Sequence, residues 1–309
     1  MNSFFNKEIT LVKFPIIFPL IYIFILYTFP KYETHLIFLT ILLLAETHFG
    51  ATWPFLLNKV NLPHIVKNKS SFIILPLLLT IFCIVGFFYF KNLFLLIFFA
   101  SNVYHVTRQS YGVMSLYIKN IDEKKNYSFF IYGFNLLFFF IAFLRFYIPI
   151  ITNDYLLILN LIIYFFIFLC FFSQIKKFGY SENTLTLITG VLIFYPVCFV
   201  SNPVHAIIMG VTMHYSQYLY LTSKVIKKRE INKSEHKKNY FSSFWVVIIF
   251  YSIIMSVLSI FGKNESEFLN NLIFIPITGQ MLHFYLDSQL WKFSQRHNRD
   301  QILKYLISK

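Results

Sequence analysis

Charge is scarce in this chain of 309 residues: 13% are Asp, Glu, Lys or Arg, against 57% hydrophobic and 21% aromatic. A soluble domain of that length needs far more polar surface. Apolar runs of about 18 or more residues recur from end to end instead, as membrane helices require. Cysteine is nearly absent. Cys83, Cys170 and Cys198 each lie inside an apolar run without CxxC or Cys/His spacing, which argues against a disulfide framework or a zinc knuckle and for small apolar packing residues. Acid is the scarcer sign, 13 residues against 27 basic ones. No polar domain presents that base as a face, so nucleic acid is not an expected partner. A cleavable leader is not expected either. The stretch FPIIFPLIYIFILYTF exceeds a typical signal core, lacks a small-residue cleavage site and leads into another apolar segment, so it is expected as a retained first span.

What is present is a series of apolar stretches separated by polar breaks, at about 14–30, 34–57, 71–90, 92–118, 128–150, 154–173, 184–201, 203–225, 241–261 and 267–291. The expected fold is all-α: a polytopic transmembrane helix bundle of about ten spans, forming a single domain over 1–309. Basic residues support that count. Two precede the first helix, three fall in 58–70, three in 119–127, two in 174–183, seven in 224–240 and five from Lys292 onward. The alternate connections hold only Lys31, Lys91 and Lys263. The positive-inside rule then places both termini in the cytoplasm, with 224–240 a basic cytoplasmic loop near anionic headgroups and 292–309 a basic tail. An integral protein of the bacterial cytoplasmic membrane, with membrane lipids as neighbours, is the expected setting.

Ionisable residues inside a bilayer are costly and mark function. Four of nine histidines stand in such positions: His48 in ETHFGATW, His105 in SNVYHVTRQS, His214 in TMHYSQY and His283 in MLHFYLD. Their helices run in one direction through the predicted topology. Counted back from the expected helix ends, they share a layer roughly 12–20 Å from the cytoplasmic side. Helical spacing adds polar neighbours: Arg108 and Gln109 follow His105, Gln217 and Tyr218 follow His214, and Gln280 and Asp287 flank His283. His205 is placed further outward and on the opposite helix face. Glu46, two residues before His48, ranks below Asp287 as a ligand. Asp287 is the expected intramembrane partner of Arg108, and Arg145 is expected to reach the headgroups.

This set predicts a metal centre with His48, His105, His214, His283 and Asp287 as ligands and Arg108, Gln109 and Tyr218 as catalytic side chains. Imidazoles with a carboxylate suit iron, zinc or copper. The function expected is a metal-dependent oxidoreductase or oxygenase with non-haem iron, taking a lipophilic small molecule such as a lipid, terpenoid or carotenoid from the bilayer, together with a redox partner. The motifs HFG at 48–50, HVTRQ at 105–109 and LHFYLD at 282–287 resemble histidine motifs of the Brp/Blh membrane carotenoid dioxygenases. That resemblance implies a multi-helix protein with histidine-bound iron that cleaves beta-carotene. Asp287 stands one position closer to His283 than in that pattern, and an early PHG motif is absent. Two alternatives stay open: a b-type haem electron-transfer subunit and a proton-coupled transporter.

Overall fold

Helices form where the apolar runs place them. The computed structural model describes residues 7–231, 240–261 and 266–307, and the regular structure among these described residues is helical. In chain order they are α1 (Ile17–Thr28), α2 (Pro30–Leu56), α3 (Leu62–Lys67), α4 (Ser70–Tyr89), α5 (Lys91–Tyr117), α6 (Ile121–Tyr147), α7 (Asn153–Phe178), α8 (Glu182–Leu192), α9 (Pro203–Ile231), α10 (Tyr240–Phe261), α11 (Glu267–Asn271), α12 (Phe274–Leu290) and a set of helical turns over 296–307, here α13. Five of them, α2, α4, α6, α7 and α10, are long and apolar enough to cross a membrane. Along α7 the side chains of Leu157, Leu161, Phe165, Phe168 and Phe172 are all exposed, as suits a helix surrounded by lipid.

Several boundaries differ from the sequence expectation: α6 begins at Ile121 rather than 128, where the Asn120 side chain caps it by accepting from the backbone of Asp122 and Glu123, and α7 runs to Phe178 rather than 173. The seventh helix was expected to reach 201 but stops at Leu192, because Pro196 enters a short 3-10 turn, Tyr195–Cys198. The carbonyl of Val197 is thereby released from helical bonding, and Arg145 Nη1 donates to it at 2.7 Å. One nitrogen of the Arg145 guanidinium is therefore anchored to the backbone. The tenth segment is divided into α11 and α12, with Pro276 in the first turn of the latter. Finally, α9 continues to Ile231, and residues 232–239 of the expected basic loop lie outside the described residues, as do 308–309 of the tail.

The chain divides into two compact units, Met1–Ile37 with Val103–Tyr218, and Phe38–Asn102 with Leu219–Lys309. In the first, α9 passes so close to the non-helical stretch after α8 that a Cβ on Gly210 would lie 1.8 Å from the carbonyl oxygen of Ile193. Asn135, fully buried on α6, donates to the carbonyl of Gly190 on α8 at 2.9 Å. Ser216 and Gln217 of α9 donate to the carbonyls of Leu11 and Val12, which belong to a π-helical turn, Ile9–Lys13.

In the second unit, α2 and α12 both lie against α10, and two glycines make room for one ring. A Cβ on Gly50 would come within 2.7 Å of the Tyr251 ring, and one on Gly279 within 2.8 Å of the Tyr251 hydroxyl. A π-helical turn over Ile41–Ala45 interrupts α2 immediately before Glu46. Such turns shift the register of everything after them and recur next to functional residues.

Candidate functional site

The second unit gathers the polar residues of α2 and α12. His48 and His283 are both fully buried, with ring centroids 4.4 Å apart in an edge-on arrangement, and the ring of Phe49 closes on His283 at 5.1 Å. Thr52, one helical turn after His48, reaches across to α12. Its Oγ1 lies 2.6 Å from His283 Nδ1 and donates to Asp287 Oδ1 at 3.1 Å. A hydroxyl has one proton to give. With that proton on Asp287, the bond to His283 is satisfied when Nδ1–H donates to Oγ1. This assigns the tautomer from the bonding pattern and turns the Nε2 lone pair toward Asp287.

His283 Nε2 and Asp287 Oδ2 are 3.7 Å apart. That is too long for a hydrogen bond. It is close to the roughly 3.0–3.6 Å that separates two ligands of an ion with bonds of about 2.1 Å. The donor set of this unit, His48, His283 and Asp287, is two imidazoles and a carboxylate, and all three are nearly inaccessible to solvent. Each of the three is among the buried residues whose ligand atoms could help to hold a metal ion. Nothing in the set selects which metal. Beside it, Gln280 Nε2 donates to Glu46 Oε1 at 3.0 Å, so Gln280 serves a second buried carboxyl rather than His283.

The first unit holds its own histidine pair. His105 on α5 and His214 on α9 are buried, with perpendicular rings 5.5 Å apart at their centroids, and their ligand nitrogens approach within 4.8 Å. Gln217, expected beside His214, is occupied by the Val12 carbonyl at 2.6 Å. Tyr218 is buried, Gln109 half-buried and Arg108 exposed. Arg108 is therefore on the outward side of α5, while Asp287 finds its hydrogen bond within α2.

His205 belongs to a different chain of bonds in the same unit. Its Nε2 lies 2.7 Å from Glu33 Oε1, and its Nδ1 lies 2.6 Å from the hydroxyl of Tyr22. A carboxylate only accepts, so Nε2 carries the proton and Nδ1 receives the Tyr22 hydroxyl. Asn202 donates to the same Glu33 oxygen at 3.3 Å. Of the other histidines, His35 is exposed, His64 and His297 stack on one another, and His236 lies outside the described residues.

Thr52 is the functional candidate that the sequence reading passed over. Its signal was its place four residues after His48, on the same helical face. Threonine is common enough in apolar helices, bonded to its own backbone, that spacing alone did not single it out. Comparison of the chain with protein-family models, curated proteins and solved structures finds no match.

Proposed function

We propose that this chain is a metal-dependent integral-membrane oxidoreductase acting on a lipophilic substrate, a lipid, terpenoid or carotenoid, with non-haem iron as its cofactor. The ligands in this reading are His48, His283 and Asp287 of the second unit, while His105 and His214 are the candidate ligand pair of the first. The observation that carries it is the Thr52 bridge. A hydroxyl that both fixes an imidazole tautomer and holds the neighbouring carboxylate is the kind of partner that orients metal ligands. Two histidines and a carboxylate are also the donor set of non-haem iron oxygenases. Iron bound there would supply dioxygen activation.

The protein's own part in this reading is to hold the donors rigid on α2 and α12, to keep water out with Phe49, and to admit an apolar substrate from the bilayer between largely apolar helices. The ten-span arrangement with cytoplasmic termini is part of the same proposal and rests on the alternation of basic residues. A b-type haem is disfavoured by the approach of His48 and His283, whose rings at 4.4 Å leave no slot for a macrocycle.

The test is metal analysis and an absorption spectrum on detergent-purified full-length protein, beside His283→Ala and His105→Ala with His214→Ala. Stoichiometric iron without a haem band, lost in His283→Ala, is the expected result. The number of ions per chain, and which variants lower it, show which histidines bind. A haem band would move the protein to electron transfer, and a folded, metal-free sample would favour proton-coupled transport.

A further inference from the structure

Outside the apolar helices, α3 and the start of α13 meet in the second unit through two imidazoles. The rings of His64 and His297 are parallel within 1°, with centroids 4.3 Å apart. This geometry suits two neutral rings. Two imidazoliums at that distance would set like charges against each other in a partly desolvated place.

An amide fixes each ring at its edge. His297 Nε2 donates to Asn61 Oδ1 at 2.9 Å, and Asn61 is kept in that orientation by its own bond to the Phe55 carbonyl at 2.8 Å. Asn68 Nδ2 lies 3.3 Å from His64 Nδ1 and donates to the His64 carbonyl at 2.8 Å. The bond at His297 survives protonation, because Nε2 is a donor in both states. The contact at His64 does not. A proton on Nδ1 removes the lone pair that faces Asn68, and turning the amide over would give up its bond to the backbone.

The charges around the pair favour the neutral form. Lys67 of α3 and Arg229 at the end of α9 face it, and Asp300 of α13 is the opposing acid. Burial is the largest influence holding both imidazoles below the ordinary histidine range. For His64, Gln295 opposes that shift and Lys67 adds to it. For His297, His64 and Arg229 add to it and Asp300 opposes.

We propose that the His64–His297 stack is an acid-sensitive latch, which fastens α13 to α3 while both rings are neutral and releases it when a ring takes up a proton from solvent. The remaining hold on this segment includes Asn298 Nδ2 donating to the Gln289 carbonyl at 2.7 Å and Arg229 Nε donating to the Gln301 carbonyl at 2.9 Å. Burial of Ile302 and Leu306 adds to that hold, so the stack shifts the docked population with pH rather than setting it alone. The docked form prefers neutral rings. The ratio of docked to released protein is therefore at its full value above the ordinary histidine pKa of about 6.5 and falls as the pH drops below it. The fall is up to about tenfold per pH unit for each ring that titrates.

The latch reads no metal and is independent of the proposed centre. Spin labels at Leu62 and Ile307, both exposed, would report it by pulsed distance measurement on the full chain with the three buried cysteines replaced by Ala. One narrow distance is expected at pH 7.5, with a longer population at least tenfold larger at pH 5.5. With His64→Phe and His297→Phe together, an uncharged stack should stay closed at both values. His64→Phe alone, which leaves the Asn61–His297 bond, should open less than the unmodified chain. A wild-type distribution identical at the two pH values, or an acid-induced opening that persists in the double Phe variant, would overturn the proposal.

Discussion

Thr52 and His283 lie 231 positions apart in sequence and touch at 2.6 Å, with the threonine hydroxyl also bonded to Asp287. One oxygen thus sets the tautomer of an imidazole and the position of a carboxylate. If these two are metal ligands, Thr52→Val keeps the shape and removes the orientation. Loss of such partners lowers metal affinity by about 10- to 100-fold. Competition with a chelator should show that loss in Thr52→Val and its recovery in Thr52→Ser, with helical content unchanged in both.

The seat of Tyr251 gives a prediction about stability alone. Gly50→Ala would drive a methyl against the body of the ring, with Cδ1, Cγ and Cβ all within 3.3 Å, whereas Gly279→Ala meets the hydroxyl at the far end. Overpacking of this sort costs about 1–3 kcal/mol, and Gly50→Ala should be the worse of the two. Gly112 and Gly133 have nothing within 4 Å of an added Cβ. Alanine at either of those helical positions should leave stability unchanged or raise it by up to about 1 kcal/mol. Thermal unfolding in detergent ranks all four.

Gly210 sets a sharper limit, because the obstruction is backbone. The Ile193 carbonyl oxygen would sit 1.8 Å from an alanine Cβ, and neither α9 nor the turn after α8 can give way without disturbing the Pro196 turn. Gly210→Ala should yield no well-folded protein. A monodisperse, normally melting Gly210→Ala sample would contradict this close approach.

The helices were legible because each apolar run is long and bounded by charge, and the helical histidine positions were legible because an imidazole inside such a run is conspicuous. Helix interruptions were less so. Pro196 ends α8 early, yet Pro54 stays within α2, and sequence does not say which proline will break a helix that tertiary packing can support. Cross-chain partners were not legible at all. Gln217 keeps perfect spacing from His214 but serves Val12, and Arg108 shares a helical stripe with His105 yet is exposed. Spacing gives the face of a helix, and only packing decides which neighbour that face meets. Depth counted from a helix end is only as good as that end, and α9 runs on to Ile231 rather than 225, so for His214 the helix end is a poor measure of position.

His205 offers a last test, which separates structural from metal-binding histidines. It is buried between Tyr22 and Glu33, donating to one and accepting from the other. Tyr22→Phe leaves the Nδ1 acceptor unmet in an apolar place, at a cost of about 1–3 kcal/mol. Glu33→Gln should cost less, since Glu33 is partly exposed and an amide oxygen can still accept. Because the two partners act through one imidazole, a double-mutant cycle should show coupling of about 0.5 kcal/mol or more. That coupling should vanish in a His205→Leu background. Metal content should be the same in all of these variants. A fall in bound metal on Tyr22→Phe would instead mean that His205 helps to hold the ion, and that its hydrogen bonds orient a ligand rather than tie α1 and the start of α2 to α9.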